Sequence, residues 1–264
     1  MSAFKKSLFL LSLLLVYNCE EEVLSFDNTL DPENPEYIPP QITVTSGPSE
    51  NEIVKSSAVS FSWEGNQGGM LYQHKFDDFT SPWAEETGAS FDFLDEGLHL
   101  FSVQSKYTTG DTSVVILVNF EVDAVEGPAL LFYPRRHIAS VGNDITFQIF
   151  AEEVQNLTGI EFSISFNPSL IQITSIGEGQ FLSNSGESIF HSEYDNEGGS
   201  LSVIAAVLGG EESVNGTGDL ASIQIEVLSQ GTATLAFDGS QIFKDPDNNV
   251  ITIQDAIDGL VQIQ

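Results

Sequence analysis

The feature that most limits how this chain can fold is the alternation of apolar and polar residues in short segments. Ile145, Phe147 and Ile149 alternate with polar residues, and the same pattern recurs in residues 161–166 and 223–227. In a β-strand this alternation gives one buried face and one wet face. Gly, Asn, Asp and Pro separate the segments, and no sustained helical stripe occurs. The sequence therefore predicts an all-β protein built from antiparallel sandwiches.

The chain is long enough for two such sandwiches. Its 264 residues include 41% apolar residues, which is enough for ordinary hydrophobic cores. Gly127 and Pro128 interrupt the alternating pattern after Glu126, and we expect the domain boundary there. The expected domains are residues 41–126 and residues 127–264.

The first domain is rich in aromatic residues on alternating strands. Residues 58–63 place Val59, Phe61 and Trp63 on one face, and residues 98–103 form a second alternating strand. These strands and the aromatic residues between them resemble immunoglobulin-like or fibronectin-III-like domains. The resemblance implies a spacer or contact module. The aromatic residues of this pattern are Trp63, Tyr72, Phe76, Trp83, Phe91 and Phe93.

Acidic residues dominate the charge of the chain. Lys and Arg total 8 against 39 Asp and Glu, which gives a formal net charge of −31. A field of this sign repels nucleic-acid phosphates. We therefore exclude nucleic acid as a partner.

Residues 1–18 are typical of an export signal. Lys5 and Lys6 precede a short apolar run over residues 8–16, and the only cysteine of the chain, Cys19, follows it. A lone cysteine forms no internal disulfide. This arrangement resembles a bacterial lipoprotein signal, which implies acylation of Cys19 and anchoring to the cell envelope, at the outer membrane or cell surface. Ordinary signal cleavage with an incidental cysteine is the alternative, although no Ala-x-Ala pattern supports it.

Residues 19–40 are expected to act as a linker that begins at the lipidated cysteine. The segment is acidic and contains Pro32, Pro35, Pro39 and Pro40. Such a composition buries little apolar surface, so we expect an extended spacer.

The second domain carries a specific resemblance. Residues 159–173 run from a Gly-Ile start through alternating residues into the corner at Asn167 and Pro168, residues 218–227 lead from a glycine into an alternating strand, and residues 243–263 contain a turn and a final strand. In order and spacing, these segments resemble the cohesin family across residues 127–264. The resemblance implies a nine-stranded jelly-roll sandwich that binds a dockerin, carried by a polysaccharide-degrading enzyme or another surface component.

The resemblance also implies a partner-binding sheet. Glu161, Ser163 and Ser165 are the outward residues of the strand before the Asn-Pro corner. Residues 201–208 are almost wholly apolar, so one face of that strand is either covered by a loop or exposed as an interface. Tyr194 is either an aromatic anchor for a partner or a core residue. The residues predicted to contact a protein partner are Glu161, Ser163, Ser165, Tyr194, Ala205 and Leu208.

The segment from Asp245 to Asn249, with Asp255 after it, has the oxygen-rich character of a calcium loop. Val250 and Ala256, however, occupy the positions where such a loop requires glycine and a bidentate glutamate. We therefore predict a turn between strands. A weak surface calcium site of another geometry stays open, and no other metal or cofactor is expected.

The sequence predicts no catalytic residues. It has no nucleophile elbow or phosphate-binding glycine loop, and acidic pairs are expected on the surface of so acidic a chain. The chief alternative to a protein-binding adaptor is a carbohydrate-binding module that uses Trp63, Trp83 and Tyr194, although the alternation around Trp63 favours a core position. Direct polysaccharide contact thus stays open beside the dockerin-bearing partner.

Overall fold

A computed structural model describes residues 28–209 and 212–264 of the chain. The predicted export signal at residues 1–18 and the predicted lipidation site, Cys19, lie outside the described residues. The described residues fall into two units, residues 28–39 and Pro40–Gln264.

The described part of the first unit is a series of turns. The side-chain oxygens of Asn28, Asp31 and Asn34 each accept a hydrogen bond from the backbone N–H two residues later, at 2.8–3.0 Å. Backbone bonds from Asp31, Asn34 and Tyr37 to the carbonyl three residues earlier close the same turns. Asx residues at every third position thus fold the chain locally, which differs from the extended conformation predicted for this part of the linker.

The first part of the second unit contains two sheets. One has the strand order β1-β3-β6 and the other the order β2-β8-β7-β4-β5. The strands are β1 (Ile42–Ser46), β2 (Glu52–Val54), β3 (Val59–Gly65), β4 (Leu71–Phe76), β5 (Phe79–Thr80), β6 (Gly88–Phe91), β7 (Gly97–Lys106) and β8 (Ile116–Val122).

An aromatic core lies between these two sheets. Val59, Phe61 and Trp63 of β3 are all buried, as their alternation predicted. The ring of Phe61 stacks on the ring of Phe101 from β7, with centroids 3.8 Å apart. Because β3 and β7 belong to different sheets, this contact joins the two layers.

In the rest of the second unit, the residues that the structure describes form thirteen strands and one short helix. They are β9 (Ala129–Tyr133), β10 (Arg136–Ala139), β11 (Asp144–Leu157), β12 (Gly159–Ser165), β13 (Ile171–Glu178), α1 (Gln180–Ser183), β14 (Ser188–Asp195), β15 (Ser200–Val207), β16 (Val214–Val227), β17 (Gly231–Phe237), β18 (Ile242–Lys244), β19 (Val250–Ile251), β20 (Asp255–Ile257) and β21 (Gly259–Ile263).

These strands form the two layers of a second sandwich. One layer has the order β13-β16-β11-β9-β20; the other has the order β10-β21-β17-β12-β15-β14, with β18 also paired to β12 and β19 to β18. One apolar core fills the space between the layers. Phe147 of β11, Phe162 of β12 and Ile223 of β16 are fully buried in it. The predicted alternation and the predicted all-β sandwich class are confirmed.

Helix α1 was not anticipated from the sequence. It has four residues, which is too short for an apolar stripe of helical period. Leu182 is buried in the core, and the backbone N–H of Gln180 donates to Asp219 at 3.0 Å. Within the described residues, no helix is long and apolar enough to cross a membrane.

A buried arginine joins the two sandwiches at the segment between β9 and β10. Arg135 is 6% exposed, and its backbone N–H donates to Asp95 Oδ1 at 2.6 Å. Its guanidinium donates to the carbonyl of Leu94 at 3.3 Å and lies 3.7 Å from Glu96 Oε1. Burial raises the pKa of Asp95 and of Glu96 above their ordinary values. The positive charge of the guanidinium thus offsets part of the desolvation free energy of the two partly buried carboxylates.

Candidate functional site

Strand β12 presents the three polar residues predicted from the sequence on one outward face. Glu161 and Ser165 are exposed and Ser163 is half-buried, while Ile160, Phe162 and Ile164 between them point into the core. The period of a strand explains this division. The structure therefore brings Glu161, Ser163 and Ser165 together, and their role in partner binding stays a prediction.

The neighbouring strands extend this surface in register. Glu161 is paired with Ile204 of β15 on one side and with Ile242 of β18 on the other, and His191 of β14 is paired with Ile204. One row across the sheet therefore reads His, Ile, Glu, Ile. We call the whole surface the candidate face, and its residues are Glu161, Ser163, Ser165, Ile189, His191, Glu193, Ser202, Ile204 and Ile242.

A groove of about 430 Å³ opens at the apolar end of the candidate face. Ile204, Ala206 and Ile242 line it together with Gly159, Glu161 and Lys244. A Cβ built on Gly159 would stand 3.7 Å from its nearest neighbours, so the absence of a side chain there leaves the groove deeper. Ile204 is 46% exposed, so an apolar side chain at a central position of the sheet is open to solvent beside this groove.

A second groove, of about 480 Å³, lies at the polar end of the same face and is lined by Ser163, Ser202, Glu193, Asp195 and Asp238. Backbone N–H groups of Gly198 and Glu197 lower the pKa of Asp195, and the hydroxyl and N–H of Ser240 lower the pKa of Asp238. Both carboxylates are therefore held in the charged form. The face combines an apolar end with an acidic end.

Of the other three predicted contact residues, Ala205 points into the core, whereas the roles of Tyr194 and Leu208 stay predictions. Ala205 is 2% exposed because its side chain points into the core, so its prediction as a partner contact is wrong. Tyr194 is 44% exposed but pairs with buried Leu201, and its hydroxyl donates to the carbonyl of Thr174 at 3.4 Å. Tyr194 also lines the groove at the polar end of the face, so its role in partner binding stays a prediction. Leu208 is exposed, and its N–H continues the pairing of β15 by donating to Glu187, so it lies on the same side as Ile204 and its role in partner binding stays a prediction.

Several residues of the face were not singled out from the sequence. Ile189 and His191 come from β14, and Ile242 comes from β18, which pairs with β12 from far along the chain. Residues 188–195 do alternate, and this pattern was a usable signal for β14. The position of β18 could not be inferred, because the pairing between distant strands leaves no trace in local periodicity.

The segment from Asp245 to Asn249 forms the predicted turn, between β18 and β19. Asp245 accepts hydrogen bonds from the backbone N–H of Asn249 at 2.7 Å and from its side-chain amide at 3.0 Å. The Asn249 amide lowers the pKa of Asp245. The carboxylate is thus used in local hydrogen bonds. Over residues 28–209 and 212–264, no cluster of three or more His, Cys, Asp or Glu side chains could hold a metal ion.

The aromatic residues proposed for a glycan platform do not share a surface. Trp63 is 2% exposed and lies in the core of the first sandwich, which excludes it from sugar contact. Trp83 is covered by Lys106, whose Nζ lies 4.4 Å from the ring centroid. Tyr194 lies on β14 of the second sandwich. The predicted platform is therefore not formed by these three residues.

Comparisons with known proteins concern the second sandwich. Residues 136–263 match the family model of the cohesin domain. No curated protein matches the chain in sequence.

Similar solved structures include three cohesins. A non-cellulosomal cohesin from Archaeoglobus fulgidus is 18% identical, with 52% of this chain and 90% of that chain covered and a TM-score of 0.43. A type II cohesin domain from the cellulosome of Acetivibrio cellulolyticus is 18% identical, with 50% and 94% covered and a TM-score of 0.46. A type I cohesin–dockerin complex from Clostridium thermocellum is 20% identical, with 52% and 98% covered and a TM-score of 0.46.

The family match spans β10 to β21 and includes all strands of the candidate face. Strand β9 precedes the match but pairs with β11 of the same sandwich. The exact domain limits therefore stay a prediction. The part of this chain from residue 136 to residue 263 is a cohesin domain.

Proposed function

We propose that this chain is a non-catalytic adaptor whose candidate face binds a dockerin-bearing protein. The observation that carries the proposal is the exposed Ile204, which stands beside Glu161 on the open side of the cohesin sheet. Cohesins form a family of protein-binding modules, and an apolar residue rimmed by polar ones is the usual make-up of a protein interface. The apolar groove next to Ile204 would accept a side chain of the partner.

The charge of the face restricts the partner. Glu161, Glu193, Asp195 and Asp238 lie on or beside it, whereas Lys244 lines only one groove. A partner surface with an apolar centre and basic residues toward the polar end would complement it. We infer that the dockerin surface has this character.

Binding by purified dockerin modules from the same organism tests the proposal. Calorimetric titration compares the wild-type chain with Ile204→Asp and with the control Thr146→Asp, which adds the same charge to an exposed position on the opposite sheet. We expect Ile204→Asp to weaken binding at least about a hundredfold, because the carboxylate replaces an apolar contact at the centre of the interface. We expect the control to bind as wild type does.

Two results would contradict this function. One is equal affinity for the wild type and Ile204→Asp, and the other is the absence of binding to any dockerin module. Tight binding of a glycan array without a protein partner would favour the carbohydrate-binding alternative instead. Thermal melts of both variants establish that each remains folded.

Attachment to the cell envelope is a separate part of the proposal. We propose that Cys19 is acylated after export and that the segment before β1 carries the two sandwiches away from the membrane. Each buried methylene of an acyl chain contributes about 0.8 kcal/mol, so several chains hold a protein firmly. The supporting observation is the position of the single cysteine directly behind an apolar run. Palmitate should label the wild type but not Cys19→Ser, and equal labelling would remove the anchor.

A role in polysaccharide degradation follows only through the partner. We propose that the docked protein is a polysaccharide-degrading enzyme and that this chain holds it at the surface. Sugar release by cells should then fall when Ile204→Asp replaces the wild type, while the activity of the purified enzyme does not change. Unchanged sugar release would contradict this role.

A further inference from the structure

Strand β14 is an open edge of the sheet that carries the candidate face. It pairs along its whole length with β15, and among the described strands it has no neighbour on the other side. The strand has eight residues, Ser188–Asp195, which is long for an unprotected edge. Such an edge offers unpaired backbone groups to another strand.

The backbone bonds of β15 identify which groups of β14 are free. The N–H of Val207 donates to Thr158 next to β12, and the N–H of Leu208 donates to Glu187 at the start of β14, at 2.8 and 2.6 Å. Backbone groups alternate in direction along an antiparallel strand. In β14, therefore, Ile189, His191 and Glu193 bond to β15. The N–H and C=O groups of Phe190, Ser192 and Tyr194 point toward the open side.

We propose that a second copy of this chain pairs antiparallel with this edge, with the two-fold axis at Ser192. The sequence around Ser192 is self-complementary in that arrangement. Phe190 stands opposite Tyr194 of the second copy, which makes an aromatic cross-strand pair on one side of the sheet. His191 stands opposite Glu193 of the second copy, which places an imidazole beside a carboxylate on the other side. The symmetry forms each pair twice.

The complementarity is local, and the rest of the chain opposes association. The formal charge of −31 repels a second copy, but this long-range term is screened beyond about 8 Å at physiological ionic strength. An edge of eight residues also buries little area, so the expected dimer is weak, with a dissociation constant on the order of 10 µM. This dimer goes beyond the proposed function and does not depend on it.

Sedimentation of the full chain at increasing concentration tests the proposal through a charge exchange. His191→Glu should weaken the dimer at least about fivefold, because Glu then faces Glu193 of the second copy in two symmetric pairs. Glu193→Lys should weaken it because Lys then faces His191 of the second copy. The double variant, His191→Glu with Glu193→Lys, should restore association, since a carboxylate then faces an ammonium group in both symmetric pairs.

A backbone test uses Ser192 itself. Ser192→Pro removes an N–H that faces the open side, so it should abolish the dimer. The control Ser192→Ala keeps that N–H and should associate as wild type does. A wild-type chain that stays monomeric up to about 0.5 mM, far above the expected constant, overturns the proposal. The proposal is also overturned if the double charge variant associates as weakly as the single variants do. This outcome is informative even if the proline variant fails to fold.

Discussion

Replacement of Arg135 by methionine should destabilise the protein in a way that depends on pH. The side chain of Arg135 is 7% exposed and that of Glu96 is 15% exposed, and the two lie 3.7 Å apart. Removing one partner of a buried ion pair costs about 3–5 kcal/mol, because the remaining charge stays buried without compensation. We expect about 3 kcal/mol for Arg135→Met, at the lower end, because the distance to Glu96 is long and methionine retains much of the packing.

The sign of the pH dependence follows from the two acids. Burial raises the pKa of Asp95 and of Glu96 in the folded protein. The positive charge of Arg135 partly counteracts this effect by lowering both pKa values. An acid whose folded-state pKa is raised costs stability while it is ionised, and this cost disappears as the pH falls through that pKa. Without Arg135 the two pKa values rise further. The destabilisation should therefore be largest at about pH 7 and smaller at about pH 5, where protonation relieves the carboxylates.

Urea unfolding of wild type and variant at both pH values measures this difference. Arg136→Met is the matched control, because Arg136 pairs with Asp92 at 2.7 Å while the two side chains are 26% and 61% exposed. An exposed pair contributes about 0–1 kcal/mol, so the control should change stability little at either pH. If Arg135→Met lowers the free energy of unfolding by the same amount at both pH values, the role assigned to Asp95 and Glu96 is refuted. A loss no larger than that of the control would refute the buried ion pair itself.

Three further substitutions test the packing of the sandwiches. Phe162→Ala should cost about 3–5 kcal/mol in urea unfolding, because the ring is fully buried in the second core; a loss below about 1 kcal/mol would contradict that core. Gly199→Ala should lower the melting temperature, because Gly199 has φ +69° and the new Cβ would lie 2.2 Å from the carbonyl oxygen of Phe166; an unchanged melting temperature would contradict this turn. Lys106→Met should cost about 0.5–1 kcal/mol through loss of the contact with Trp83, and should change the tryptophan emission; unchanged emission would contradict that contact.

Periodicity was enough to predict which side of a strand is buried where the two sides differ in polarity. The alternation in β12 separated Glu161, Ser163 and Ser165 from the core residues between them, and the structure agrees. In β15 both sides are apolar, so the pattern could not choose between Ile204 and Ala205. The sequence analysis selected Ala205, whereas the pairing with β12 turns Ile204 outward.

Contacts between distant segments were beyond the reach of the sequence. Arg135 meets Asp95 and Glu96 across the junction of the two sandwiches, and Ile242 reaches Glu161 through β18. Neither contact follows from spacing or alternation, because each depends on how complete sheets are placed. The turn at Asp245 was predictable because its hydrogen bonds close within five residues, from Asp245 to Asn249.

The geometry of one sheet separates the centre of the candidate face from the dimer contact, although His191 and Glu193 belong to both. Partner binding uses the side chains that project from the candidate face, and Ile204 is at its centre, one strand away from the edge. Pairing with a second copy uses backbone groups of Phe190, Ser192 and Tyr194, which lie in the plane of the sheet. Side chains of a strand project perpendicular to the direction of its hydrogen bonds. A dimer would therefore leave Ile204 accessible and place two candidate faces side by side on one continuous sheet. Ser192→Pro should abolish the dimer without loss of dockerin affinity per chain. Ile204→Asp should weaken dockerin binding without loss of the dimer.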